Sequence, residues 1–180
     1  MMRTNIRLLV ISVVLMFGVN VLVEAQKSDK KHNRKKAKRE KRAEEFSKTK
    51  KLVESRNFIF NAERAFPSGM RSIDLVSNPG TIEVKDGSAE ADLPFFGRSY
   101  TSHYSSNTGI EFKGKIENEN IEFNEKKQKI YYSFTINDKD VFNVTMDVSS
   151  NGGCSVTINS NGKNSISYGG KISKIKSKEK

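Results

Sequence analysis

From Ile110 onward apolar residues recur at every second position, and this alternation constrains the fold more than any other feature of the chain. Ile130, Tyr132, Phe134 and Ile136 make one run, Phe142, Val144, Met146 and Val148 the next, and Cys154, Val156 and Ile158 a third. A period of two places successive side chains on opposite faces of an extended chain, so each run reads as a strand with one buried and one wetted face. Ile110, Phe112 and Ile116 precede these runs, and Ile166, Tyr168 and Ile172 close the series. Ile121 and Phe123 fall on the other parity, which predicts a turn between them and Ile116 and hence a separate strand.

Short polar stretches divide the runs at Asn124 to Gln128, Asn137 to Asp140, Ser149 to Gly153 and Asn159 to Asn164. Asn151-Gly152 and Asn161-Gly162 supply residues that accept the positive φ of tight hairpins. The pattern predicts an antiparallel meander of about six strands. Shorter candidates precede it at Phe58 to Ala62, Ser72 to Val76, Thr81 to Lys85, Glu90 to Leu93 and Arg98 to Ser102. The apolar face must be covered, since each large side chain left in water forgoes about 1.5–3 kcal/mol. The expected fold is therefore mainly β, a single antiparallel meander sheet curled into a barrel-like, lipocalin-like or sandwich domain, with one N-terminal helix.

That helix is expected over about 38–55, where Ala43, Phe46 and Val53 share a side with Leu52 nearby. Only its C-terminal half has apolar residues to bury. Ser55-Arg56-Asn57 ends it, and Asn57 suits a left-handed finish.

Arg3 and Arg7 precede an apolar stretch from Leu8 to Val23. It is too short for the roughly 20 residues that cross a bilayer. Val23-Glu24-Ala25 then offers small side chains, so the segment reads as a signal peptide cleaved after Ala25 and the mature protein as periplasmic or secreted. Cys154 is the single cysteine, which leaves no internal disulfide and no lipid-attachment site after Ala25. Its place in an alternating run makes it a small buried strand residue. The domain plan is a signal peptide at 1–25, a basic disordered arm at 26–42, a β-rich domain at 43–175 that includes the helix to about 56, and a basic tail at 176–180.

The net charge of +11 is confined to the flanks. Residues 26–51 hold 13 Lys and Arg against four acids, whereas 52–170 hold 12 against 15. Such an arm predicts weak, salt-sensitive contact with polyanions or a membrane surface through Lys27–Lys51. No aromatic residue interleaves with the basic ones before Phe46, so no stacking platform and no specific nucleic-acid partner are expected.

Leu93 to Tyr104 is the candidate binding segment. Pro94 and Gly97 keep the adjacent Phe95 and Phe96 out of regular pairing. Arg98, Tyr100, His103 and Tyr104 follow within seven positions. Aromatic rings beside a guanidinium line a ligand pocket or a docking patch. The plainer reading of the same residues, and the favoured one, is a loop that plugs the open end of the barrel, with Phe95 and Phe96 as core. The partner predicted for the pocket reading is a small apolar ligand or an envelope protein.

A hydrolase of unknown class is the weaker alternative. His103 could act as a base, but serines and aspartates are too common to assign it a nucleophile and an orienting acid. Glu83, Asp86, Glu90 and Asp92, and later Glu117, Glu119, Glu122 and Glu125, mostly alternate with apolar residues, the spacing of a solvent face. No catalytic residue, metal site or cofactor is assigned, and the expected role is a non-catalytic ligand- or partner-binding envelope protein.

Four blocks, Lys51–Phe58, Ser72–Pro79, Asp92–Arg98 and Ser165–Ile172, carry a family resemblance, with Leu-Pro-Phe-Phe-Gly-Arg the most distinctive. Together with the N-terminal segment they resemble an uncharacterised family of exported Bacteroidetes proteins known only as a domain of unknown function. The resemblance covers about 40 to 175. It implies an envelope location and a compact, mainly β domain, and it brings no activity, cofactor or catalytic residue.

Overall fold

The computed structural model describes residues 32–100 and 109–175. The expected signal peptide at 1–25, the start of the basic arm at 26–31, His103, Tyr104 and the tail at 176–180 lie outside the described residues. The chain divides into two compact units, Met1–Lys41 and Arg42–Lys180.

Helix α1 spans 32–54, so it begins about six residues before the expected start, and 32–42 is helical where the charge pattern predicts a disordered arm. Ala, Lys, Arg and Glu are among the best helix formers, and propensity needs no apolar stripe to act. Within the second unit, Phe46, Thr49 and Val53 are buried, whereas Ala43 is exposed. The left-handed residue that ends α1 is Arg56 (φ 50°), one position before the expected Asn57.

Nine strands follow: β1 (Phe58–Pro67), β2 (Ile73–Asp74), β3 (Gly80–Lys85), β4 (Ser88–Pro94), β5 (Gly109–Asn124), β6 (Lys129–Asn137), β7 (Val141–Ser149), β8 (Gly153–Ser160) and β9 (Ile166–Ser173). They pair antiparallel in the order β2-β1-β3-β4-β5-β6-β7-β8-β9, and β1 also pairs with β9. That last pairing closes β1 and β3 to β9 into an eight-stranded barrel, with β2 as an extra strand on β1. Of the two expected architectures, the closed barrel is the one formed. Closure removes the exposed edges that an eight-stranded open sheet would present. At the β3–β4 turn Asp86 has φ 49° and Gly87 φ 74°. Two successive positive φ angles are what a tight primed hairpin requires.

The alternating residues face inward as expected: Ile130, Tyr132, Phe134 and Ile136 are all buried, as are Phe142, Val144, Met146 and Val148. Cys154 is buried too, and burial pushes its thiol pKa up, away from reactivity. The expected turn between Ile116 and Ile121 is absent. β5 runs through it as one 16-residue strand, and the parity shift comes from a bulge in which Asn118 and Glu119 together interrupt the pairing with β6. An extra residue of this kind bends a strand and re-aims the side chains beside it. Asn118 takes φ 51° there, a conformation Asn accepts more readily than most side chains. Arg98 to Ser102 also departs from expectation, since within the described part only Ser99 makes an isolated bridge, to Lys163.

An eight-stranded barrel is just wide enough to be filled by side chains or to hold one small ligand. Phe58 on β1 and Tyr132 on β6 stand four strands apart around the ring, yet their centroids are 6.0 Å apart. The lumen is therefore bridged at that level by aromatic side chains.

Candidate functional site

The meander alternates its turns between two ends of the barrel. The end carrying the segment after β4 holds the sequence-predicted site. Tyr168 donates its hydroxyl to the Pro94 carbonyl at 2.9 Å, so the end of β4 is pinned across the barrel mouth. Phe95 and Phe96 are half-buried and pack against the core. The Phe95 ring lies 5.1 Å from the ammonium of Lys163, a side chain only 3% exposed that also donates to the Gly109 carbonyl. At that distance the face of the ring attracts the cation. Burial lowers the Lys163 pKa.

Backbone bonds strap the loop to the β8–β9 connection. The Tyr100 N–H donates to the Gly162 carbonyl at 2.8 Å, and the Asn164 N–H donates to the Arg98 carbonyl at 3.1 Å. Gly162 in turn donates to the Asp140 carboxylate at 2.9 Å, tying in the β6–β7 turn. Gly162 therefore acts through these bonds, and neither it nor Asn161 takes the expected positive φ. Arg98 and Tyr100 are exposed, and the Tyr100 hydroxyl bonds the Asn164 side chain. Phe95 and Phe96 are thus core on one side and loop surface on the other. Among the described residues no cluster of three His, Cys, Asp or Glu is placed to hold a metal.

At the opposite end the C-terminal half of α1 is bonded to the β5–β6 and β7–β8 turns. Thr49 donates to the Ser150 carbonyl at 2.8 Å, and Lys50 pairs with Glu125 at 2.7 Å. The β5 bulge aims Glu119 at the same end. It accepts from Arg56 Nε at 2.8 and 2.9 Å and from the Tyr132 hydroxyl at 2.9 Å. Glu119 is therefore not the plain solvent-face carboxylate its spacing predicts. The Arg56 guanidinium, with help from the Tyr132 hydroxyl, holds the Glu119 pKa below the ordinary 4.5, because both favour the charged form. A depressed carboxylate stabilises the fold above its unfolded-state pKa and loses that contribution as pH falls through its folded-state value. Glu119→Gln should cost about 0.5–1 kcal/mol at pH 7, discounted because Arg56 is half-exposed. In thermal melts from pH 7 to pH 3 the gap between wild type and variant should shrink below pH 4.5. A gap that stays constant across that range would refute the charge pairing.

Between α1, the β3–β4 hairpin and the chain after β9 lies an open hollow of about 900 Å³. Lys48, Lys51, Lys85 and Lys174 surround it with Ser55 and Asn57, and Leu52 and Ile175 supply aliphatic surface. Lys48 pairs with Glu44 on α1 at 2.7 Å. Among the described residues no carboxylate lies within salt-bridge distance of Lys51, Lys85 or Lys174. β1 and β9 run antiparallel with Ile59 opposite Ser173, so the start of one and the finish of the other share an end. Barrel closure is what brings Lys48 and Lys51 to one place with Lys174.

The family described as a domain of unknown function, DUF4251, matches residues 40–172. The chain belongs to DUF4251. A crystal structure of a DUF4251 family protein from Bacteroides eggerthii DSM 20697 is similar to this DUF4251 chain at 18% identity with a TM-score of 0.59. The likeness covers 73% of this chain and 89% of that one, and at such low identity it speaks to the fold alone. Among curated proteins none matches the chain.

Proposed function

We propose that this DUF4251 protein is an exported, non-catalytic binding module that takes its ligand at the α1 end of the barrel. The observation that carries this reading is the hollow of about 900 Å³ ringed by four lysines, set beside a lumen that Phe58 and Tyr132 bridge. Its volume lies in the range of about 300–1,000 Å³ typical of small-molecule sites. Its chemistry joins positive charge to aliphatic surface, which suits a mixed rather than a purely apolar ligand.

A second reading places partner docking at the other end, around Phe95, Phe96, Arg98 and Tyr100, with His103 and Tyr104 continuing the segment. Tyr100 favours it, being 67% exposed while its N–H and its hydroxyl are both bonded to the β8–β9 connection. A fixed, exposed aromatic is a common anchor at interfaces.

Native mass spectrometry of protein purified from its own host separates the two. The intact mass should correspond to a chain beginning at Gln26. A co-purifying small molecule should be lost from Lys51→Glu/Lys174→Glu and retained by Arg98→Ala/Tyr100→Ala. The reverse pattern would move binding to the loop end, and wild type free of any ligand would count against the small-molecule reading.

A further inference from the structure

The α1-end hollow has a shape and charge that narrow its ligand further, on the reading that this end is the binding end. We infer that it takes one single-chain amphiphile with an anionic headgroup, carboxylate or phosphate monoester, and an apolar tail. Lys51, Lys85 and Lys174 arrive from three separate elements, α1, β3 and the chain after β9, and among the described residues none of them is within salt-bridge distance of a carboxylate. Lysine presents a compact point charge with rotatable donors rather than a planar fork, so it accepts either headgroup. Leu52 and Ile175 border the same hollow. With the methylene stems of the lysines they give the tail a surface to cover.

Three other occupants fit less well. The segment that continues from Ile175, Lys176-Ser177-Lys178-Glu179-Lys180, is itself basic and would be repelled. A polyanion gains its affinity from phosphate or sulfate contacts along an extended charged track and has no use for Leu52 or Ile175. A bilayer presents a broad surface, whereas this site is a concavity of molecular volume.

The test is calorimetric titration of the chain from Gln26 with laurate and dodecyl phosphate below their micellar concentrations, beside dodecanol, acetate, inorganic phosphate and heparin. Laurate, dodecyl phosphate or both should bind one per chain. Dodecanol, acetate and inorganic phosphate should each bind at least roughly tenfold more weakly, lacking either the charge or the buried methylenes. Lys51→Glu/Lys174→Glu should lower amphiphile affinity roughly tenfold, Ile175→Asn should lower it as well, and Lys126→Glu/Lys127→Glu, an equal charge change on the β5–β6 turn, should leave it unchanged.

Equal binding of dodecanol, with loss on Ile175→Asn but not on the lysine pair, overturns the anionic headgroup while the α1-end reading stands. Equal binding of acetate or inorganic phosphate overturns the tail, and displacement of laurate by heparin overturns the single-molecule ligand. Binding that ignores both the lysine pair and Ile175 removes the inference and the α1-end reading together.

Discussion

Gly170→Ala is expected to cost the barrel at least about 3 kcal/mol and to lower its melting temperature by roughly 10 °C. Gly170 sits on β9 opposite Ala62, at the point where the β1–β9 register slips so that Gly169 faces Arg64. A β-carbon at 170 would fall on the Asn61 carbonyl oxygen and lie 2.9 Å from that carbonyl's carbon and 3.0 Å from Phe60 Cε2. The obstruction is backbone, so no rotamer change relieves it, and the strand pair that must part is the one that closes the barrel. Gly153→Ala is the contrasting case. There the nearest atom is the Asn151 side-chain oxygen at 3.2 Å, which can swing aside. The cost at that position should stay below about 1 kcal/mol. Thermal denaturation followed by circular dichroism measures both. A Gly170→Ala protein melting within about 2 °C of wild type would mean that the seam is looser than the register implies.

Alternation carries the reading of the barrel wall because it depends on one physical fact, that neighbouring side chains on a strand point to opposite faces. From Ile130 to Ile158 the inward residues are those the pattern predicts. The pattern fails at Glu117 to Asn120 because a turn and a bulge shift parity identically. Four polar residues in a row look like a turn, and only the pairing of Asn120 with Ser133 reveals that the strand continues. The consequence reaches beyond the strand count, since the bulge is what delivers Glu119 to Arg56 and Tyr132. Asp86-Gly87 is a legible signal of the opposite kind. An Asp-Gly pair between two alternating runs announces a primed turn, and both residues take positive φ.

The α1-end hollow is half legible. Composition places the positive charge in two flanks, but nothing local says that Lys51 and Lys174 border one hollow. That follows from closure, because the chain enters the first strand and leaves the last strand of an even-numbered antiparallel barrel at the same end. Lys85 comes from neither flank, and its contribution depends on the β3–β4 hairpin lying beside α1. At the other end, Gly97 lies in an irregular stretch as expected, whereas Pro94 is still paired, with Gly109, at the end of β4. The side chain that sits against Phe95 is Lys163, from a polar connection far along the chain, and no periodicity connects the two.

Phe58→Ala should be among the most destabilising truncations, costing about 3–5 kcal/mol. Its ring has no exposure and meets Tyr132 from the far side of the barrel. Part of that cost is the transfer of a large apolar side chain, and part is the cavity that opposing strands cannot collapse to fill. Phe58→Leu keeps most of the volume and should cost less than about 1.5 kcal/mol. The difference bears on function as well as stability. An apolar cavity of that kind stays dry and accepts a small apolar guest. Benzene should therefore raise the melting temperature of Phe58→Ala while leaving wild type unmoved. If benzene stabilises wild type to the same degree, the lumen already has room for a guest, and the binding site belongs inside the barrel rather than under α1.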